Sequence, residues 1–348
     1  MQITMKRLAL ILLLLVAAAS FAPRLQAQEK PWMKHINPSG YFQAGYSITD
    51  AGDNTFYIKR ARLAFAGDLL TSPKWGRFEY KVQAELAGSP KLVDYFIKWT
   101  IREEFGFQFG QFKTPLTVEN SECPPLKLEM IDYSLLVQRF ARMSNADLTG
   151  ISATGREMGF QFYGKLFPMA DGHAFVRYNV GLFNGVGINK NDTDKLKNLM
   201  ARVMLYPLKD LSVSGYYERK LGDMRQPEVP IYHDYDYRIF DRYGVAVAYD
   251  SSFAWFRTEY MAGHTEGWRA EAAYVTAGYK ITPTFNIGAR YDYFTSNSRV
   301  TGLDQQYVTI GTSWHPFPRL RLQLNYIYKQ EPSRNVTHLV NLMSSIIL

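Results

Sequence analysis

Between residues 75 and 87 the chain alternates strictly. Phe78, Tyr80, Val82, Ala84 and Leu86 fall on one parity, and Arg77, Glu79, Lys81, Gln83 and Glu85 on the other. Period two places the two sets on opposite faces of a strand, so one side meets an apolar medium and the other water. The same rhythm recurs after residue 37 in sixteen segments of about ten residues: 39–49, 54–70, 75–87, 91–101, 105–113, 156–166, 174–183, 197–208, 211–220, 239–250, 253–263, 267–281, 284–295, 304–315, 318–329 and 335–346. An all-β fold is predicted.

The connections after even-numbered segments are mostly tight, as in Pro207-Leu208-Lys209-Asp210 and Thr282-Pro283, whereas those after odd-numbered segments are often long and polar. Turn length that follows strand parity is a property of transmembrane barrels, with short turns at one rim and longer loops at the other. A sheet with lipid against it must close, because an open edge would leave backbone groups unpaired in hydrocarbon. Sixteen strands make a closed antiparallel barrel wide enough for an aqueous lumen.

Composition agrees with this setting. A mean hydropathy of −0.23 excludes a bundle of membrane-spanning helices, and 24 Tyr, 22 Phe and 6 Trp supply material for two interfacial girdles. Girdle candidates near strand ends are Tyr41, Trp75, Tyr95, Trp99, Phe183, Tyr206, Trp268, Tyr291, Tyr293, Trp314, Tyr326 and Tyr328. The one long apolar run, residues 8–22, follows Lys6-Arg7 and ends near Leu25-Gln26-Ala27. It has the parts of a secretory signal and is too short to anchor. Residues 1–27 are therefore read as a signal peptide and 28–348 as a single barrel domain. Losing Lys6, Arg7 and Arg24 lowers the net charge from +8 to +5, which without a basic run does not suggest nucleic acid.

The longest interruption, residues 114–155, separates the fifth and sixth strands. Within residues 126–142 the apolar positions 128, 131, 135, 136 and 140 predict a short amphipathic helix. Insertions of this length carry function or are disordered. This one either folds inward and narrows the pore, or caps the barrel, or latches a trimer.

Four segments carry a family resemblance. They are Ile58-Lys59-Arg60-Ala61-Arg62-Leu63-Ala64-Phe65-Ala66-Gly67-Asp68, Gly110-Gln111-Phe112-Lys113-Thr114-Pro115-Leu116, residues 159–164, and Tyr178-Asn179-Val180-Gly181-Leu182-Phe183-Asn184-Gly185. In this order they resemble the phosphate-selective porin O and P family. The resemblance implies a trimer of sixteen-stranded barrels in the bacterial outer membrane, each with an arginine-lined pore shaped partly by the third loop. Basic residues of the second strand contribute near the constriction of such porins, and the matching positions are Arg60 and Arg62.

Independently of the family, the polar face of each strand gives a lumen inventory. Its basic members are Arg60, Arg62, Arg77, Lys81, Lys98, Lys165, Arg177, Arg202, Arg242, Arg257, Arg269, Arg290, Arg319, Arg321 and Lys329. Its acids are Asp68, Glu79, Glu85, Asp94, Glu157, Glu218, Glu259, Glu271 and Asp292. A basic excess inside a low-dielectric wall favours anions, and guanidinium suits bidentate contact with carboxylate or phosphate. Cross-strand neutralisation, such as Arg77 with Glu79 or Arg257 with Glu271, is the competing account. The pore-lining and anion-binding candidates are Arg60, Arg62, Arg77, Lys81, Lys98, Lys113, Arg177, Arg202, Arg242, Arg257, Arg290 and Arg321.

Catalytic signatures are missing. There is no Gly-rich phosphate loop, no H-E-x-x-H and no G-x-S-x-G, and the single Cys123 excludes a disulfide framework within the chain. The six His are dispersed, and the segment Tyr232-His233-Asp234-Tyr235-Asp236-Tyr237 is read as an acidic aromatic outer loop, not a metal site. No cofactor and no enzymatic activity are expected. The reading is an outer-membrane diffusion channel for small anions, phosphate among the candidates, in contact with the lipid bilayer. A general or specific-solute porin is the alternative, with a barrel enzyme such as a lipase behind it. Amino-terminal sequencing of the protein purified from outer membranes should begin at Gln28; a start at Met1 or Gln2 would show the leader retained.

Overall fold

In the computed structural model the described residues are 36–192, 197–221, 241–265, 268–332 and 335–348. The chain divides into Met1–Asn37 and Pro38–Leu348, and the barrel occupies the second unit. Residues 1–27, the expected leader, and residues 232–237 lie outside the described residues.

All sixteen expected segments are strands: β1 (Asn37–Thr49), β2 (Asn54–Ser72), β3 (Gly76–Glu85), β4 (Lys91–Arg102), β5 (Phe105–Lys113), β6 (Arg156–Pro168), β7 (Ala174–Phe183), β8 (Lys197–Leu208), β9 (Leu211–Leu221), β10 (Asp241–Asp250), β11 (Ala254–Thr265), β12 (Trp268–Thr282), β13 (Phe285–Thr295), β14 (Asp304–Phe317), β15 (Leu320–Gln330) and β16 (Val336–Ile347). Chain neighbours are sheet neighbours throughout, and β1 closes the ring by pairing antiparallel with β16 from Tyr41 opposite Ile347 to Thr49 opposite Leu339. Connections after even strands, from 73–75 to 318–319, are two to five residues long. Those after odd strands include residues 114–155, 184–196 and 222–240.

The burial pattern inverts that of a soluble protein. Polar Gln43, Gln111, Asn325 and Ser345 are buried, whereas Phe65, Ile97, Phe109, Val245 and Ile310 are exposed. Such inversion marks an apolar exterior around a polar interior. Inward polar side chains satisfy one another, as where Gln43 Nε2 donates to Ser345 Oγ at 3.0 Å. Four girdle candidates face the other way. Tyr41 and Phe183 are buried inside, and Tyr206 packs against the internal apolar cluster, as does Trp268.

That cluster is formed by the loop of residues 114–155, which lies within the barrel. Leu135, Leu136, Val137 and Phe140 pack on Met200, Met204, Tyr216, Met261, Tyr274 and Phe294 of the inner wall. The short amphipathic helix expected within residues 126–142 forms over its second half alone, as α2 (Leu135–Phe140), and a second short helix, α1 (Val118–Glu122), precedes it. Ser134 caps α2 by accepting from Val137 N at 3.3 Å, and Thr117 caps α1 by accepting from Asn120 N at 3.0 Å. Residues between them give their backbone groups to the wall rather than to a helix. Arg321 donates to the carbonyls of Leu126 at 2.8 Å and Leu128 at 2.7 Å, and Ile131 N donates to Asn325 Oδ1 at 2.7 Å. The amphipathic spacing is real, but fixed wall donors and acceptors replace the i−4 ladder.

Both ends of the loop are fastened. At its base Thr114 N donates to Gly155 O at 3.0 Å, as does Asn120 Nδ2 at 3.0 Å. Gly155 has φ +76°, and a Cβ there would come within 2.0 Å of Asn120 Oδ1, so only glycine fits. Further along, the fully buried Arg142 lies 3.2 Å from Glu157 of β6 and pairs with Glu218 of β9, while Arg242 of β10 reaches Asp147 at 3.1 Å. Removing one partner of such a buried set strands the others. Arg142→Met should therefore weaken loop anchoring by about 3–5 kcal/mol. Limited proteolysis of the folded barrel should then cut within residues 114–155; protection equal to the parent protein would show that the apolar contacts alone hold the loop.

Candidate functional site

Because the loop packs against β8–β13 and is held by β15, the open part of the lumen lies along β1–β8. Three adjoining cavities occur there, of about 560, 630 and 270 Å³. The first, at the rim of short turns, is lined by Arg77, Glu79, Lys98 and Lys165 among others. It shares Lys98 with the second, which runs between β3–β8 and the loop residues Pro115 and Ser121 to Lys127. The second shares Arg62, Pro125 and Arg156 with the third, which carries Lys59, Arg60, Lys91 and Asp132.

The resemblance-bearing segment of β2 has a local irregularity at this junction. Lys59 pairs with Asp132 of the loop, and Arg60 Nη1 donates to the inward Gln43 Oε1 at 2.8 Å. Two consecutive side chains thus face inward, and the alternation changes phase between them, which strict period-two reading cannot foresee. Arg62 Nε donates to Glu85 Oε2 at 2.8 Å, and Glu85 also accepts from Ala61 N at 2.7 Å. Burial would raise the Asp132 carboxyl, but the Lys59 ammonium against it holds it below the ordinary carboxylate range.

The twelve candidates divide into two groups. Arg60, Arg62, Arg77, Lys81, Lys98, Lys113 and Arg202 border the cavities. Some of these are neutralised: Arg77 by Asp68 at 2.8 Å and Glu79 at 3.3 Å, Lys81 by Asp94 at 2.8 Å, Lys98 by Glu79 at 3.8 Å, and Arg202 by Glu122 at 2.7 Å. Arg177, Arg242, Arg257, Arg290 and Arg321 border none of the three. Arg177 lies over the Tyr206 ring at 4.5 Å. Arg242, Arg290 and Arg321 donate to loop carbonyls, and Arg257 pairs with Glu129 at 2.7 Å rather than with Glu271. The wall arginines of β10–β15 are thus struts for the loop. Arg269 and Glu271 pair with each other at 2.6 Å, and both fall on the parity opposite the buried Ala270, Ala272 and Tyr274, which puts them on the outer face.

Four cations at the cavities keep no carboxylate partner among the described residues. No acid oxygen of the described residues lies within 4.0 Å of Arg60, Lys91, Lys113 or Lys127. Lys113 donates to the Asn120 carbonyl and sits 5.9 Å from the Tyr133 ring, with no carboxylate of the described residues at ion-pair distance. Sequence reasoning missed Lys59, Lys91 and Arg156. Lys59 has the wrong parity, Lys91 opens a strand, and Arg156 follows the glycine that ends the loop, where no periodicity applies; Arg156 Nε reaches Asp94 at 2.5 Å. Cys123 has an unexpected neighbour: it is buried with Arg257 Nη1 at 3.0 Å from Sγ, and burial pushes its thiol upward. Among the described residues no group of three His, Cys, Asp or Glu is arranged to hold a metal ion.

Comparison with known proteins bears on the same features. The phosphate-selective porin O and P family matches over residues 38–219 and 240–343. No curated protein matches. Among solved structures the chain is similar to OprB of Pseudomonas putida, with TM-score 0.67 and 11% identity over 91% of this chain and 95% of that one. It is similar to the anion-selective porin of Comamonas acidovorans, with TM-score 0.65 and 10% identity over 90% and 99%. OmpT of Vibrio cholerae in its trimer form gives TM-score 0.63 and 14% identity, again over 90% and 99%. At such identities these likenesses establish the barrel. The family match covers most of the strands, including β2 with Arg60 and Arg62, and the chain belongs to the phosphate-selective porin O and P family, β-barrel porins of the bacterial outer membrane.

Proposed function

We propose that the protein is a passive diffusion channel whose lumen admits small anions. Solutes cross along β1–β8, past a narrow point between the inner loop and β2 at Arg62, Arg156 and Pro125. The observation that carries this reading is the run of cations without a carboxylate of the described residues at ion-pair distance, Lys127, Lys113, Arg60 and Lys91, along the adjoining cavities. In a cleft with low-dielectric walls an unpaired charge projects a field that a neutralised one does not, and this concentrates counter-ions and lowers their barrier. The anion selectivity named for the structurally similar Comamonas acidovorans porin is consistent with it. Phosphate is among the anions the site suits, since ammonium and guanidinium donors converge from two sides at the junction of the second and third cavities. The chain acts without cofactor or catalysis, as a homotrimer in the bilayer; the trimer form of OmpT from Vibrio cholerae supports that assembly.

Reversal potentials in planar bilayers under a potassium chloride gradient test the reading. The parent protein should favour chloride. Arg60→Glu, at a position free of a carboxylate partner, should lower the anion-to-cation permeability ratio by roughly fivefold or more, because it reverses a charge at close range in a narrow pore. Arg62→Glu should also disturb the barrel, since it sets a second carboxylate beside Glu85. A cation-favouring parent channel would sink the proposal. For phosphate the expected signature is saturable depression of chloride conductance, weakened severalfold in Arg60→Glu. Conductance that merely tracks bulk mobility would remove phosphate and leave the anion preference standing.

A further inference from the structure

The central cavity is two-faced. On its barrel side a polar surface is built from Lys81, Lys98 and a relay of side-chain amides. Gln161 Nε2 donates to Gln108 Oε1 at 2.9 Å, Asn179 Nδ2 donates to Gln161 Oε1 at 3.3 Å, and Arg202 Nη2 donates to Asn179 Oδ1 at 3.2 Å. On its loop side Pro115, Pro124, Pro125 and Leu126 form an apolar strip, beside Ser121 and Glu122, which are both taken up by Arg202. The rings of Phe96 and Phe112, edge to face at 6.1 Å, continue that apolar strip onto the wall. Lys113 and Lys127, which have no carboxylate of the described residues at ion-pair distance, line the same cavity next in sequence to Phe112 and Leu126.

A hydrated inorganic anion has no use for this arrangement. It gains from the cations, but the prolyl and leucyl face offers it no hydrogen bonds in place of those its water shell gives up. An ion with a flat apolar body beside its charge satisfies both sides. The body leaves water against the loop, and the charged group meets ammonium and amide donors. The volume, about 630 Å³, lies within the range of small-molecule sites and is far larger than one phosphate needs.

We infer that the passage favours organic anions with a planar apolar body, aromatic carboxylates being the simplest class, over inorganic or polyhydroxylated anions of similar size. This rests on the anion-channel reading above. The test uses the full protein in planar bilayers under bi-ionic conditions, with benzoate on one side and glucuronate, a six-membered ring covered in hydroxyls, on the other. The benzoate-to-glucuronate permeability ratio should exceed their ratio of free-solution mobilities by roughly tenfold. Leu126→Asn should bring that excess down severalfold, and Pro124→Ser, on the exposed side of the same face, repeats the measurement independently. Heat-modifiable migration reports whether each variant barrel is folded. Permeabilities that follow free mobility in the parent protein, with chloride still preferred over potassium, would overturn this inference alone. Potassium preferred over chloride would overturn the anion reading beneath it as well.

Discussion

Closure of the sheet is the constraint on which everything else depends. In hydrocarbon no water is present to satisfy an edge strand, and each unpaired amide or carbonyl costs several kcal/mol. The ladder between β1 and β16, nine residue pairs from Tyr41–Ile347 to Thr49–Leu339, removes the last edge. Closure then fixes the faces. Once the strands form a ring, period-two alternation has one interior and one exterior, and the inverted burial of Gln43 against Phe65 follows without further interaction.

The interior so enclosed is larger than side chains alone can fill, and the loop of residues 114–155 occupies one half of it. Its attachment uses two kinds of contact. Apolar side chains of α2 meet a methionine- and tyrosine-rich wall, and wall carboxylates and guanidinium groups accept or donate to loop backbone. Glu259, for example, takes the amide hydrogens of both Val118 and Glu119 at 2.8 Å. A carboxylate from another strand thereby satisfies donors at the start of α1, which a helix of five residues leaves free.

Strand number, strand boundaries and connection parity were legible in the sequence because each depends on a local rule, alternation or turn chemistry, that tertiary context here reinforces. The face of Lys59 was not legible, since a one-residue change of phase in β2 leaves no mark in hydropathy. Nor was the confinement of the helix expected within residues 126–142 to Leu135–Phe140. Its apolar spacing is helical, but Arg321 and Asn325, nearly two hundred residues away in the chain, take the backbone groups a helix would use. Arg269 and Glu271 failed for the simplest reason: β12 keeps one phase, set by Ala270, Ala272 and Tyr274, and both charges fall outside it.

The charge inventory has a different lesson, about position rather than number. Fifteen basic residues against nine acids on the polar faces suggest a uniformly positive bore. The fold distributes them unevenly. On β10–β15, Arg242, Arg257, Arg290 and Arg321 direct their donors to loop carbonyls and buried carboxylates, so their charges are screened by the groups they hold. Along the open side, Arg60, Lys91, Lys113 and Lys127 have no such partner among the described residues. An arginine that fastens the loop and an arginine that faces the passage are equivalent in composition but act on a solute to very different degrees, since a field reaching the lumen requires a charge left uncompensated at short range. On the proposed anion-channel reading, selectivity is a consequence of where the loop lies: by engaging one arc of the basic wall, it determines which cations remain for the solute.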